Sequence, residues 1–299
     1  MSKQDELKRR FRHIPEIVMN KGELDIVDFE IAEDYVENIP MPPQFPPNRQ
    51  GFKDFVMMLR TAFPDLHYEV DHLTTSDLIG ENQKVVHRIV ATATHDGPWG
   101  PIPATHKKMS WTEIHIGLYV EGKLVEHWGN INTLAIMQQM GAIPGWYEKP
   151  AVPARPDVKS KDVTTYQENV TIVRRFIRDV WNKGMMDVAD VLIHPKSIDP
   201  SYSEFPVGPE GAKLAVTMFR LAFPDLYMFI EDIVAEEDMV AIRFVMAGTH
   251  EGIFMDIAPT GRTVEVGGCS IFHFGDGQII ERWQEFDMLG LYNQLGMGG

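Results

Sequence analysis

The residues best suited to chemistry lie in one short stretch of the first half of the chain. Trp111, Glu113 and His115 alternate along a strand-like segment, so their side chains face the same side of the predicted sheet. A turn at Glu121-Gly122 folds the chain back and is expected to set His127 opposite His115. Histidine titrates near neutral pH and a neighbouring carboxylate orients it, so His115, His127 and Glu113 form a candidate catalytic set for proton transfer.

Two other interpretations of this set are open. The side chains could face solvent or satisfy hydrogen bonds in a polar interior, and a shift of one residue would move His127 to the other face. The three residues could also bind a metal as two histidines and a carboxylate, but the chain has no HxH, HExxH or CxxC spacing. We predict no metal and no cofactor. The sequence also lacks a glycine-rich phosphate loop and a GxSxG motif, so nucleophilic catalysis has no support.

The chain contains the same sequence pattern twice. The string AFPDL at 62–66 returns unchanged at 222–226, NKG at 20–22 returns at 182–184, and TH at 94–95 returns at 249–250. The landmarks keep their order, and their offset drifts only from 162 to 155 residues. This period is too long for a solenoid repeat, so it predicts a duplicated domain in which each copy buries its own core.

The two copies differ in their ionisable residues. Eight of the eleven histidines precede residue 144. The equivalent face of the second copy carries Ser270, Arg282 and Gln284, none of which is an obvious general base. We therefore predict an active pocket in the first copy and a degenerate or ligand-binding pocket in the second. His95 and His250 occur in both copies, which favours a structural role for them.

The organisation predicted for each copy is a group of helices followed by antiparallel strands, an α+β pattern. A proline-rich linker at 149–163 separates a domain at 1–148 from a domain at 164–299. Thr165 and Glu168 form a possible capping box at the first helix of the second domain, whereas Pro15 is expected to interrupt the corresponding helix of the first.

The motifs of the second domain resemble those of the SnoaL-like polyketide cyclases, in the nuclear-transport-factor-2-like superfamily. They occur at Asn182–Gly184, Ala222–Leu226, Thr249–Gly252, Pro259–Arg262, Asp276–Trp283 and Gln294–Gly296. The first domain matches less closely, with ATHK at 104–107 in place of PTGR. The resemblance implies two tandem cone-shaped α+β barrels, each a curved antiparallel sheet wrapped around helices. It also implies pairing through the sheet faces, either as a pseudo-dimer within one chain or in a homo-oligomer.

The resemblance also bears on the site. Aldol-type cyclases of the family use an aspartate on the last strand, and its positions here are Gly129 and Gln284, so neither copy keeps it. The family histidine corresponds to His115. A family pocket asparagine corresponds to Glu37, and Tyr35 and Glu37 are expected at the pocket mouth. We predict that substrate is contacted by six residues outside the catalytic set: Trp111, Tyr35, Glu37, Ser270, Arg282 and Gln284.

The composition limits the partners of the protein. A net charge of −15 over 299 residues argues against binding to nucleic acid or to anionic membranes. The first residues carry charges and no apolar signal region, and the single cysteine, Cys269, permits no intrachain disulfide, so a cytoplasmic protein is expected. With nucleic acid and membranes disfavoured, the partner that we expect is a small-molecule substrate.

The function predicted from these features is cofactor-independent acid–base catalysis of the cyclase, dehydratase or isomerase type. The substrate is expected to be a small, largely apolar carbonyl or hydroxyl compound in the pocket of the first domain. The alternative is a non-catalytic ligand-binding or scaffold protein of the same fold, which the absence of the family aspartate favours.

Overall fold

The computed structural model describes residues 3–40, 42–71, 78–79, 83–144, 156, 158 and 164–297. Contacts between residues divide the chain into two compact units, Met1–Lys149 and Pro150–Gly299. The predicted linker at 149–163 lies outside the described residues, except for Pro156 and Val158. The pairing of the two domains stays a prediction.

The first unit consists of helices on a mixed sheet. Its elements are α1 (Lys3–His13) with a π-helical continuation (Ile14–Met19), α2 (Asp25–Glu30), β1 (Ile31–Glu37), α3 (Arg49–Ala62), β2 (His67–Val70), β3 (Leu78–Ile79), β4 (Lys84–Thr94), β5 (Lys108–Val120), β6 (Lys123–Ile131) and α4 (Thr133–Met140).

The second unit repeats this order. Its elements are α5 (Tyr166–Arg175) with a π-helical continuation (Phe176–Trp181), α6 (Met186–Leu192), β7 (Ile193–Ile198), a 3₁₀ turn (Pro200–Tyr202), α7 (Pro209–Ala222), β8 (Tyr227–Glu236), β9 (Met239–Thr249), β10 (Thr263–Gly275), β11 (Gln278–Phe286) and α8 (Met288–Leu295). The α+β class is confirmed. Among the described residues, no helix combines the length and the apolar character that a membrane span requires.

The first helix of each unit widens into a π-helix before it ends. The capping box of α5 is confirmed, because the backbone N–H of Glu168 donates to Thr165 Oγ1 at 3.3 Å and that of Thr165 donates to Glu168 Oε2 at 2.8 Å. The predicted interruption at Pro15 is wrong, since the helix continues through it in π geometry. The second unit has the same widening at Phe176–Trp181 without a proline, so Pro15 does not cause it. π-Helical turns often occur at functional sites.

The sheets are mixed rather than wholly antiparallel. The strand orders are β1-β6-β5-β4-β2, with β3 beside β4, and β7-β11-β10-β9-β8. The first strand of each sheet pairs in parallel with the last, so Glu37 lies beside His127. The antiparallel hairpin predicted at Glu121-Gly122 is confirmed, and both turn residues have positive φ angles. This parallel edge, which local sequence patterns do not predict, brings a second carboxylate to the candidate site.

Repeated polar contacts fix the loops of both units. His95 Nδ1 lies 3.0 Å from Thr105 Oγ1, and His250 Nδ1 lies 3.1 Å from Thr260 Oγ1. Both histidines are fully buried, and burial lowers the pKa of each. These contacts agree with the structural role predicted for His95 and His250.

Candidate active site

A cavity opens between the π-helical segment and the sheet of the first unit. Its volume is about 50 Å³, and its walls are largely apolar. Six lining residues are polar: Glu37, Tyr68, His87, Glu113, His115 and His127. Each of these side chains is buried, so their interactions with one another decide which of them can react.

The two predicted histidines are in contact, but the predicted pairing between them is wrong. His115 lies opposite Gly129, and His127 lies opposite Gly117, because the turn takes two residues and an irregularity follows Leu118. His115 and Gly117 share a face, so His127 is diagonal to His115 rather than opposite it. The rings stack with centroids 5.0 Å apart, and His115 Nδ1 lies 3.1 Å from His127 Nε2.

Glu113 holds the outer nitrogen of His115. Its Oε2 lies 2.6 Å from His115 Nε2. The indole N–H of Trp111 and the hydroxyl of Tyr68 donate to Glu113 Oε1 at 2.5 and 2.9 Å. Burial, followed by the nearby Glu113 charge and the hydrogen bond to Glu113, raises the pKa of Tyr68 well above its usual value. Trp111 does not line the cavity and packs on Phe63, so it supports the carboxylate from behind.

Glu37 holds the outer nitrogen of His127 in a corresponding way. Its Oε2 lies 2.9 Å from His127 Nδ1 and accepts the hydroxyl of Tyr35 at 2.6 Å, while Ile39 N–H donates to Oε1 at 3.0 Å. Burial by itself would raise the pKa of Glu37, but the charge of His127 and these hydrogen bonds outweigh it and lower the pKa. Burial raises the pKa of Tyr35 well above its usual value, so Tyr35 stays a donor. Tyr35 is buried and is not among the residues that line the cavity, so it does not lie at the cavity mouth.

Glu37, His127, His115 and Glu113 therefore form one hydrogen-bonded series, which we call the four-residue chain. It has three links, and each link is satisfied by one proton between its two heavy atoms. The outer links are filled by one N–H from each histidine. The central His115–His127 link needs a third proton, since two facing lone pairs 3.1 Å apart repel each other. The four-residue chain carries a net charge of −1 when a proton occupies the central link and −2 when that link is empty.

His87 also lines the cavity but is not part of the four-residue chain, and no local pattern in the sequence singles it out. It lies on β4 opposite His115, with ring centroids 5.6 Å apart, and stacks on Phe11 at 4.1 Å. Its Nδ1 is buried and has no hydrogen-bond partner among the described residues. Burial, followed by the charges of His115, His127 and Arg12, lowers the pKa of His87 well below its usual value. The β4–β5 connection is too long for the sequence to reveal this register.

The second unit has different residues at every corresponding position. Strand register places Ile242, Ser270 and Arg282 where the first unit has His87, His115 and His127. Arg282 Nε donates to Asp199 Oδ2 at 2.6 Å, which replaces the contact between His127 and Glu37. A cavity of about 50 Å³ lies beside this ion pair. The two cavities therefore match in volume and differ in chemistry.

The substrate-contacting residues predicted in the second unit are divided between two places. Arg282 lines the cavity and lies over the rings of Phe176 and Tyr202 at 5.6 and 5.8 Å. Ser270 and Gln284 are buried, and Ser270 Oγ donates to Gln284 Oε1 at 3.3 Å, but neither lines the cavity. In the described part of the protein, no group of three or more histidine, cysteine or acidic residues has the arrangement of a metal site.

Each unit thus combines an α+β fold with a cavity over its sheet, and in the first unit that cavity contains linked acids and bases. The chain belongs to the SnoaL-like polyketide cyclase family, whose sequence model matches residues 10–140 and 171–295. The chain is similar to AcmA, the aklanonic acid methyl ester cyclase of Streptomyces galilaeus. The two are 33% identical over 133 residues, which cover 43% of this chain and 91% of AcmA.

Two solved structures are similar to part of the chain. TsrD from Streptomyces laurentii is 28% identical with a TM-score of 0.43, and the match covers 45% of this chain and 98% of TsrD. Wild-type IdmH from Streptomyces antibioticus is 29% identical with a TM-score of 0.38, and the match covers 42% of this chain and 97% of IdmH. Each of these proteins corresponds to less than half of the present chain.

Proposed function

We propose that the first unit is an acid–base catalyst of the cyclase type that acts on a small, largely apolar carbonyl compound. The observation that carries this proposal is the unbroken four-residue chain, which lies in an otherwise apolar cavity. An apolar wall binds the carbon skeleton of such a substrate, while the linked acids and bases exchange protons with its reacting atoms. Membership of a cyclase family agrees with this chemistry.

The proposed reaction moves one proton from carbon to oxygen. A C–H bond next to a carbonyl breaks, and its proton fills the His115–His127 link. The resulting carbanion attacks a second carbonyl carbon, a C–C bond forms, and the electron pair of that carbonyl moves to its oxygen. The proton then leaves the link for this oxygen. Because the four-residue chain returns to its starting charge, no cofactor is needed for the balance of atoms and electrons.

Glu37 and Glu113 make this exchange feasible in a buried site. Each carboxylate accepts hydrogen bonds from its own donors and lies against one histidine, so each offsets the positive charge that the pair gains on protonation. The central link accepts a proton when it is empty and donates that proton when it is filled, so His115 and His127 are proposed to act as one unit.

The second unit is proposed to bind a ligand without catalysing proton transfer. Its counterparts of His115 and His127 are Ser270 and Arg282, and a guanidinium does not release its proton in the physiological range. The Arg282–Asp199 pair fixes the charge of this cavity. This difference provides an internal control. A substitution in the first unit should lower the catalytic rate, whereas the corresponding substitution in the second unit should not.

The test uses the whole chain and two probes. The first is aklanonic acid methyl ester, the compound in the name of AcmA, and the second is acetophenone, whose methyl protons exchange with deuterated solvent when a base removes them. His115→Gln and His127→Gln are each expected to lower the rate on an accepted probe by about 10²–10⁴-fold, the usual contribution of a general acid–base group. Ser270→Ala is the matched control and is expected to leave the rate unchanged.

A result in which both histidine variants keep the wild-type rate overturns the proposal. The alternative, a non-catalytic binding protein, is favoured by the glycine at the family's aspartate position, Gly129. It predicts that isothermal calorimetry detects ligand binding while neither probe shows turnover or deuterium exchange in any variant.

A further inference from the structure

His87 has an uncommitted polar atom beside the four-residue chain. The other five polar residues of the cavity wall are hydrogen-bonded to one another: Glu37 to His127, His127 to His115, His115 to Glu113, and Glu113 to Tyr68. No such partner is present for His87 Nδ1 among the described residues, although the side chain is only 4% exposed. Buried polar atoms are nearly always paired, so an unpaired one at a cavity wall points to a ligand.

The position of His87 is fixed by packing rather than by hydrogen bonds. Phe11 lies flat against the imidazole, with an angle of 15° between the planes, and His115 meets it edge-on at 80°. Gly117, which pairs with His127 across the strands, leaves room for Phe11. A Cβ added at Gly117 would lie 2.8 Å from Phe11 Cε2 and 3.1 Å from Phe11 Cζ. A ring held in this way keeps its nitrogen in place without using it.

His87 is neutral under physiological conditions, because burial and the neighbouring positive charges lower its pKa well below the usual value. A neutral imidazole offers one N–H and one lone pair. Removal of a proton next to a carbonyl places negative charge on the carbonyl oxygen, and that oxygen needs a donor. A neutral donor serves this need well in a buried site, because no charge has to be desolvated before the reaction.

We propose that His87 is a further catalytic residue, whose Nδ1–H donates a hydrogen bond to the carbonyl oxygen of the substrate and stabilises the enolate that forms there. This proposal rests on the proposed function, since it assigns the oxygen side of the same proton abstraction. The substrate class is accordingly a ketone or a 1,3-dicarbonyl compound rather than a simple alcohol. The second unit has Ile242 at this position and lacks the donor.

The first readout is the carbonyl stretching band of acetophenone labelled with ¹³C at the carbonyl, measured by isotope-edited infrared spectroscopy on the bound ketone. The band is expected at lower wavenumber in the wild-type protein than in His87→Phe, which keeps a ring against Phe11 but has no donor. His87→Gln restores an N–H and is expected to recover part of the shift. An equal band position in the wild type and His87→Phe, or no ketone bound to either, overturns the proposal.

The second readout is the rate of deuterium exchange into the methyl group of the same ketone. His87→Phe is expected to lower kcat by about 10²-fold with a smaller change in KM, as for loss of one oxyanion donor. His67→Gln removes an exposed histidine of β2 and is the control. If His115→Gln and His127→Gln leave exchange unchanged while the His87-dependent band shift persists, the proposed function fails and this inference stands. If those variants abolish exchange and His87→Phe changes neither readout, only this inference fails.

Discussion

Gly129 lies opposite His115 on the neighbouring strand, and the imidazole fills the space where a side chain at Gly129 would lie. A Cβ added at Gly129 would lie 2.6 Å from His115 Nδ1, 2.9 Å from the carbonyl oxygen of Ile114 and 3.0 Å from Ile39 Cδ1. Ordinary van der Waals contact begins at 3.4 Å. The shortest of these contacts therefore falls short by about 0.8 Å, and the imidazole and the methyl group beyond it must move. Gly129→Ala thus tests whether the glycine is required by the histidine pair.

The expected cost follows from these contacts. Insertion of one methyl group into a packed site costs about 1–3 kcal/mol, and the upper half of this range applies because the Ile114 oxygen belongs to the backbone of the neighbouring strand. A loss of about 2 kcal/mol lowers the midpoint of thermal unfolding of a unit of this size by roughly 5–8 °C. Since the displaced atom is His115 Nδ1, the central link of the four-residue chain lengthens as well. The catalytic rate should therefore fall together with the stability.

The assay has two parts. Thermal unfolding of each unit is monitored by amide hydrogen exchange of its peptides, and activity is measured as deuterium exchange into acetophenone. Gly267→Ala is the control, because the described residues beyond its chain neighbours place no atom within 4 Å of the Cβ that it adds. It is expected to change stability by less than about 0.5 kcal/mol. A Gly129→Ala protein as stable and as active as the wild type would refute the reasoning, since His115 would then not occupy the space that the glycine leaves.

A double substitution separates crowding from chemistry. Ser270 and Gln284 face each other in the second unit, where the first unit has His115 and Gly129. His115→Ser combined with Gly129→Gln copies that pair. The double variant is expected to be more stable than Gly129→Gln alone, because removing the imidazole relieves the crowding that glutamine causes, so the effects of the two substitutions on stability are not additive. It is expected to remain inactive. Equal stabilities of the single and double variants would indicate that crowding by His115 is not the cause.

Three further predictions concern charge. His87→Phe should remove part of the acid sensitivity of the first unit: the folded-state pKa of His87 lies well below its usual value, so below about pH 6.5 the unfolded chain binds a proton that the folded one excludes, and stability falls by up to about 1.4 kcal/mol per pH unit. The free energy of unfolding, measured with urea between pH 5 and 8, should depend less steeply on pH in the variant than in the wild type. Equal dependence on pH would contradict this. Glu37→Gln should lower the free energy of unfolding by about 3–5 kcal/mol near neutral pH, because it leaves His127 without its carboxylate. Folding lowers the pKa of Glu37, so the contribution of Glu37 is present above about pH 4.3 and is lost as the pH falls through the lower folded value. The stabilities of the variant and the wild type, measured with urea, should therefore converge in acid. Arg282→Met should destabilise the second unit by a similar amount, with partial recovery when Asp199→Asn is added, and should leave deuterium exchange in the first unit unchanged.

The sequence predicted the fold and three members of the four-residue chain, Glu113, His115 and His127. The repeated landmarks defined the duplication, and simple alternation along 111–115 placed Glu113 and His115 on one buried face. Local patterns of this kind are readable because side-chain direction in a strand follows from position alone. The capping box at Thr165 was readable for a similar reason, since it depends on residues only three positions apart.

The remaining contacts of the site depended on long-range pairing. Glu37 reaches His127 only because β1 pairs in parallel with β6, and 90 residues separate the two side chains. His87 reaches the cavity only because β4 and β5 pair in a register that their long connection conceals. The two-residue turn and the irregularity after Leu118 together shifted the β5–β6 pairing by two residues relative to the predicted hairpin, so that His115 lies opposite Gly129 instead of His127. Neither parallel pairing nor such an irregularity has a signal in local alternation.

The two units show how one backbone supports opposite uses of charge. In the first unit, two carboxylates flank two imidazoles. The two outer contacts are each satisfied by an N–H of a histidine, and the central contact between the two imidazoles has room for one further proton. In the second, the ion pair of Arg282 and Asp199 occupies the corresponding strands, and a guanidinium keeps its charge throughout the physiological range. We therefore propose that the first arrangement exchanges a proton with a bound compound, while the second only orients one. Both cavities have a volume of about 50 Å³, so the proposed difference between the units rests on side chains and not on space. Ile242, Ser270 and Arg282 stand where the first unit has His87, His115 and His127.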